Sequence, residues 1–351
     1  MLDDAFPKGG PFTPFPLPPR DATHARIRCI IVHDERKEVA GRLPVWNDPW
    51  QVIGTLSLPG GEGIKNLEVL TQLWNYFSDC GADKHTYIIC IGGGSLSDLV
   101  GFAAGTYHRG LPLIFIPTTV LSMVDAAIGG KNGINWHGVK NQIGMRHMPE
   151  QIVIQAHWLE TLPRMEQLSG WVEMAKHALT ESPTTAAAFL DEPGPNPENL
   201  KHWIPISARF KWSIVVSDAD ENGERKVLNF GHTVGHALEA LAQREDRAMP
   251  HGIAVAWGME TALHLSVALR GLPPERAQRA IRKLRSWLEG ELPPDWEGER
   301  IWPYMLKDKK NAHGQVLEVL LHDWGQPEWN CPVRFEDFAR AWRQTQSGPL
   351  G

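Results

Sequence analysis

The chain has 351 residues, 42% hydrophobic and 22% charged, which suits about two packed domains and excludes general disorder. Its 35 Lys and Arg against 41 Asp and Glu leave a net charge of -6, a poor basis for holding nucleic acid by its phosphates. No apolar run reaches the roughly 20 residues of a membrane span. The start of the chain is acidic and then Pro-rich, without the apolar core of a signal peptide, so no membrane partner and a cytoplasmic location are expected. The four Cys (Cys29, Cys80, Cys90, Cys331) form no CxxC pair and are expected to be reduced. The 15 Trp and 15 His are unusually many.

Residues 1–25 read as an irregular Pro-rich arm. From Arg26 the pattern becomes α/β. Arg26–His33 is a short β-branched run and predicts a strand, as does Gln51–Leu58. Asn66–Cys80 carries Leu67, Leu70, Leu73 and Phe77 at helical spacing, with Gly81 placed to end the helix. Thr86–Ile91 is continuously apolar, as in a parallel strand buried on both faces. A Gly92–Gly94 loop and a helix from about Ser95 follow. Leu113–Ile116 predicts another buried strand, Pro117-Thr118-Thr119 the opening of a helix, and Gln151–Ile154 a last short strand. Beyond about residue 157 helical patterns dominate: 165–180, 200–217, 230–242, 252–269 and 274–288, with one strand-like segment at 316–321. The expected domains are therefore an α/β, Rossmann-like nucleotide-binding domain at 26–157 and a mainly α-helical metal- and substrate-binding domain at 158–351.

Three features point to chemistry. Glycines between a buried strand and a helix let backbone N–H groups approach a pyrophosphate, although the GxGxxG spacing is absent and a purely structural turn is equally compatible. Asp34, at the end of the first strand, stands where an acid takes ribose hydroxyls, or is an ordinary strand terminus. His232 and His236 lie four apart on one helical face, a spacing that suits a metal, with His251 and Glu173 as further ligand candidates. Arg109, Asp125, Lys131, Lys140 and Asn141 lie among Gly-rich turns, and Lys211 and Arg225 follow; this density of charge suits a multiply anionic ligand. These residues alone do not specify a reaction.

Several motifs in a fixed order go further: PGGEGIK (59–65), GGGSLSDLVGFAAGTYHRG (92–110), IPTTVLSMVDAAIGGKNGIN (116–135), KNQIG (140–144), GWVEMAKHAL (170–179), RKVLNFGHTVGHALE (225–239), HGIAVAWGM (251–259) and DKK (308–310). Together they resemble the 3-dehydroquinate synthase family of the sugar-phosphate cyclases. The resemblance implies a lyase of the shikimate pathway of aromatic amino-acid biosynthesis. It converts 3-deoxy-D-arabino-heptulosonate 7-phosphate into 3-dehydroquinate and phosphate. In the family, NAD transiently oxidises a hydroxyl, the ketone acidifies the neighbouring C–H, phosphate leaves, and an intramolecular aldol step closes the ring.

By the same resemblance, Glu173, His232 and His251 are the ligands of Zn²⁺ or Co²⁺, and His236 turns to substrate proton transfer. Lys176, Asn229 and Asp125 join it as catalytic candidates. Arg109, Lys131, Lys140, Asn141, Lys211, Arg225 and Lys309 are implied substrate contacts. Asp34, Glu62, Lys65, Gly93, Gly94, Asp98, Thr118 and Thr119 are implied NAD contacts. A small anionic sugar-acid phosphate and a second copy of the chain are the implied partners. The chain departs from the family pattern at Arg36, where Asn is frequent, at Asn132, at His108 and at Ser95. Two alternatives remain: a cyclase acting on another acid phosphate, such as an amino analogue, and a glycerol- or iron-dependent alcohol dehydrogenase. A small neutral alcohol gives no reason for Arg109, Lys131, Lys211 and Arg225.

Overall fold

The computed structural model describes residues 12–13, 26–137, 139–247, 249–307 and 315–348. The chain divides into two units. Unit 1 holds the residues up to 167 together with 201–212; unit 2 holds 168–200 and 213 onward.

Unit 1 is built on the β-branched runs. The strands are β1 (Phe12–Thr13), β2 (Ile27–Asp34), β3 (Trp50–Leu58), β4 (Tyr87–Gly92), β5 (Leu113–Pro117) and β8 (Gln151–Val153). They form one sheet in the order β1-β8-β5-β4-β2-β3, and every neighbouring pair is parallel. All residues of β4 and β5 are buried, as the continuous apolar runs require. Helix α2 (Leu67–Asp79) is capped by Asn66, whose side chain accepts from the Val69 N–H at 2.9 Å. Gly81 follows it in the left-handed region, at φ +63°.

The register aligns the carboxyl ends of the central strands. Asp34 pairs with Leu58, His33 with Ile91, and Gly92 with Pro117. The chain order reverses across β2 and β4, because β3 lies on one side of β2 and β4 on the other. Parallel sheets bind ligands outside the carboxyl ends of their strands at such a reversal. Asp34 and the Gly92–Gly94 loop flank that point.

Three local expectations are corrected. The arm is not wholly irregular: Phe12 and Thr13 add a parallel edge strand on Ile152 and Val153, and the Phe12 ring meets Trp212 edge-on at 6.2 Å. The turn after Thr119 is not an ordinary helix but a short π-helical turn, Ser122–Ala126. The residues from Lys131 onward in the Gly-rich 128–135 segment are not turn but strand: β6 (Lys131–Trp136) and β7 (Val139–Arg146) form an antiparallel hairpin. Helix α3 (Gly94–Thr106) packs against it, and a Cβ at Gly101 would sit 2.0 Å from the Asn132 side chain. Buried Asn132 ties the hairpin by donating to the carbonyls of Gly130 and His147, at 2.8 and 2.9 Å.

Unit 2 is helical around one hairpin. Helices α4 (Arg164–Glu181) and α6 (Pro197–Ser217) contribute to both units, since each spans a division point. The others in order are α1 (Lys37–Ala40) in unit 1, then α5 (Pro183–Asp191), α7 (His232–Arg244), α8 (His251–Arg270), α9 (Pro274–Trp287), α10 (Gly298–Met305) and α11 (Phe335–Ser347) in unit 2. Strands β9 (Val316–Asp323) and β10 (Gln326–Val333) pair antiparallel. Helix α8 has the length and composition of a membrane span, yet 78% of that window is buried inside the protein, as for a core helix. Part of the tryptophan excess is spent in this core. Trp171, Phe189 and Trp287 meet with ring centroids 4.4 to 5.8 Å apart, one pair tilted and two edge-to-face.

Candidate active site

Unit 2 brings three ligand-type side chains together. Glu173 comes from α4, His232 from the first position of α7 and His251 from the first of α8. The Nε2 atoms of His232 and His251 each lie 3.3 Å from Glu173 Oε1. Ligand atoms at 2.0–2.1 Å from a tetrahedral Zn²⁺ are about 3.3 Å apart, so the donor set and its spacing fit a small divalent cation. The outer ring nitrogens are also oriented. His251 Nδ1 meets Glu239 Oε2 at 3.2 Å, and His232 Nδ1 meets the Phe230 carbonyl at 3.2 Å. Such outer contacts fix the tautomer that turns Nε2 toward a metal.

Glycines set these positions. A Cβ at Gly258 would lie 1.9 Å from the Gly231 carbonyl oxygen and 2.9 Å from the Gly235 N, so α7 and α8 touch backbone to backbone. Gly231 itself precedes His232 at φ +77°, in the left-handed region. A Cβ at Gly252, next to His251, would fall 2.3 Å from the Ser169 Cα on α4. Gly258, Gly231 and Gly252 are not among the site residues expected from the sequence. Their signal was present in the spacing of glycines beside the histidines.

The electrostatics favour the ligand forms of Glu173 and His232, whereas His251 holds a proton that a bound cation would displace. Burial raises the Glu173 carboxyl, but the Lys176 ammonium and then His232 outweigh it and hold it well below the usual range. Lys176 is buried and ion-paired with Glu173. Burial and then Lys176 push His232 down to about 3, so its imidazole is neutral. Burial also opposes charge on His251, but its bonds to Glu173 and Glu239 prevail and raise it to about 10. His236 lies on the exposed side of α7, its ring centroid 5.2 Å from His232 and 6.3 Å from His251. Buried Arg225 donates to the Ala219 carbonyl at 3.0 Å, and Asn229 donates to Glu221 at 3.2 Å.

Unit 1 gathers a different set. Buried Lys65 donates to Asp98 at 2.6 Å and to the Asn141 side-chain oxygen, and Glu62 lies 3.4 Å away. Glu62 in turn accepts from Ser95 at 2.8 Å and Asn135 at 2.9 Å, which gives Ser95 a bonding role. Burial pushes the Asp98 carboxyl up to about 6, against the pull of Lys65. Asn141 and Lys65 thus meet, although the resemblance assigned one to substrate and the other to NAD. Lys211 donates to both the backbone and the carboxylate of Asp125, each at 2.6 Å.

Gly93 caps α3 without a side chain and Gly94 opens the helix, leaving N-terminal N–H groups for an anion. Thr118 and Thr119 are buried just past β5, and the Thr118 hydroxyl has no hydrogen-bond partner. That orphaned hydroxyl and the uncapped helix fit a dinucleotide. Arg109, Lys131 and Lys140 are exposed, Arg109 with a left-handed backbone at φ +67° after His108 at +49°. Such conformations concentrate at functional sites. Lys309 lies outside the described residues.

Comparison with known proteins agrees in both units. The N-terminal model of the 3-dehydroquinate synthase family matches residues 55–169, and the C-terminal model matches 170–311. The 3-dehydroquinate synthase of Parabacteroides distasonis is 36% identical over 80% of this chain and 80% of its own length. That of Salinibacter ruber is 36% identical over 92% and 89%. Among solved structures, 2-deoxy-scyllo-inosose synthase complexed with carbaglucose-6-phosphate, NAD⁺ and Co²⁺ shares the fold, with a TM-score of 0.78, 24% identity and coverage of 92% and 90%. ValA, the 2-epi-5-epi-valiolone synthase of Streptomyces hygroscopicus, bound to NAD⁺ and Zn²⁺, gives 0.78, 22%, 94% and 93%. By its matched models and its similarity to curated relatives, the chain belongs to the 3-dehydroquinate synthase family.

Proposed function

We propose that this chain is a 3-dehydroquinate synthase, using NAD and a divalent cation, Zn²⁺ or Co²⁺, on 3-deoxy-D-arabino-heptulosonate 7-phosphate. The observation that carries the reading is a Glu173–His232–His251 centre in a unit that also buries the cations Lys176 and Arg225. Buried positive charge in the metal-binding unit suits an anionic substrate such as a carboxylate-bearing phosphate. When bound, NAD would supply reversible hydride transfer and the metal Lewis acidity.

Glu173, His232 and His251 hold the metal. Lys176 keeps Glu173 ionised. Arg225 and Lys211 receive the substrate carboxylate; Arg109, Lys131, Lys140, Asn141 and Lys309 receive its phosphate and hydroxyls. Hydrogen bonds from planar guanidinium groups suit both anions. His236, exposed on the helix that starts at His232, exchanges a proton with the departing phosphate side, aided by Asn229. Asp125 orients Lys211 and accepts from a hydroxyl. Asp34, Glu62, Lys65, Gly93, Gly94, Asp98, Thr118 and Thr119 hold the dinucleotide. The enzyme works as a cytoplasmic homodimer in the shikimate pathway, a reading supported by the family resemblance.

The test supplies the purified protein with the heptulosonate phosphate and NAD at a small fraction of substrate. Phosphate release far beyond the NAD present, with no lasting NADH, is the expected result. NADH accumulating with glycerol, without phosphate release, would place the chain with the dehydrogenases instead.

A further inference from the structure

Asp34 ends β2 with its carboxylate almost fully buried, 2% exposed, at the point where an acid grips the adenosine ribose of a dinucleotide. In this chain that carboxylate is already occupied. Arg36 Nε lies 3.0 Å from both oxygens, Nη2 lies 2.9 Å from Oδ2, and the Arg36 backbone N–H donates to Oδ1 at 2.9 Å. The other guanidinium nitrogen, Nη1, donates to Glu166 at 3.2 Å. A cavity of about 260 Å³ opens beside Arg36, lined also by Val39, Thr118, Trp158 and Leu162. Gly60 leaves room at the carboxylate, where a Cβ would stand 2.8 Å from Asp34 Oδ2.

An unpaired buried acid at the ribose discriminates twice: it accepts from the 2′-hydroxyl and repels a 2′-phosphate. Arg36 weakens both effects. Its fork competes with the ribose hydroxyls for Asp34 and cancels the buried charge. Its side chain is 37% exposed and lines the cavity, and each Nη has a second N–H that can bond a phosphate, a group that guanidinium suits. Two other acids stand near, Glu38 and Glu166, but Glu38 is exposed and Glu166 is 40% exposed, so solvent and salt screen them. The charge that matters most is the buried one, and it is the one Arg36 neutralises.

Resting on the dinucleotide site proposed above, we infer that Arg36 sets cofactor specificity by admitting a 2′-phosphate, so that the chain binds NADP as well as NAD.

Isothermal titration of the full-length protein with NAD and with NADP reads this without turnover. The wild-type Kd for NADP should lie within about tenfold of that for NAD, the scale of one charge-assisted hydrogen bond. In Arg36→Ala the NADP-to-NAD Kd ratio should rise about fivefold or more, with NAD tightening as Asp34 is released. Arg36→Gln, closer in shape, carries the same expectation if the alanine variant does not fold. A wild-type ratio above ten, or a smaller rise in the variant, overturns the inference. If NAD itself does not bind, the dinucleotide site fails and takes this inference with it. If NAD binds and the ratio does not move, only the role of Arg36 falls.

Discussion

The two units assemble their polar groups by opposite means. In unit 2, Glu173, His232 and His251 sit on helices that meet through glycine backbone, within a core of large aromatic rings. Their positions follow from packing. In unit 1, Asp34, Lys65, Asp98 and Asn141 sit at strand ends, in a hairpin and at a helix start, held by ion pairs and hydrogen bonds to one another. Their positions follow from partners that an incoming ligand can replace. A rigid donor set suits a metal with strict geometry, and an exchangeable one suits a cofactor that binds and leaves.

That contrast predicts that damage in unit 2 is felt in folding and metal content together. The largest effect is expected for Trp171→Ala, two residues from Glu173. Emptying that aromatic cluster should cost about 3–5 kcal/mol in urea unfolding. Gly258→Ala comes next: the forced separation of α7 and α8 should cost about 1–3 kcal/mol and lower metal content of the folded protein. Full stability and full metal content in that variant would break the link from glycine contact to ligand placement. Glu239→Gln should weaken metal affinity about tenfold or more, measured by competition with a chelator, because His251 loses its charged outer partner.

In unit 1 the corresponding change is smaller and depends on pH. Asp98 titrates at about 6 in the folded protein, above its ordinary value of 3.8. Between those values the folded state binds more protons than the unfolded state, so this group's contribution to stability falls as pH rises from about 4 to 6. Asp98→Asn should remove at most about one proton's worth of that slope in denaturation measured across the range. An unchanged slope would mean that Lys65 compensates the burial of Asp98 more fully than proposed.

Sequence patterns revealed most of the fold, for reasons the two units illustrate. The buried parallel strands are continuous apolar runs, and the helices of unit 2 carry long periodic patterns, so β4, β5, α4 and α8 were readable. The stop at Gly81 was also readable, because it acts on neighbours in sequence. The β6–β7 hairpin was not: its glycines Gly133 and Gly144 pair across the strands for close approach, and without the partner strand they read as turns. The same holds for the site. Residues carrying the motifs could be named in advance, whereas the Arg36 fork on Asp34 and the junction of Lys65 with Asn141 are tertiary facts. The His232–His236 spacing was legible as a helical pair, but spacing alone could not separate a ligand from a neighbour.

That separation is the claim on which the account turns, and metal analysis of purified variants tests it most directly. His232→Ala and His251→Ala should lose the bound divalent cation, while His236→Ala retains it and loses activity. Equal metal loss in His232→Ala and His236→Ala would mean that the pair on α7 ligates together, and would contradict the centre described here.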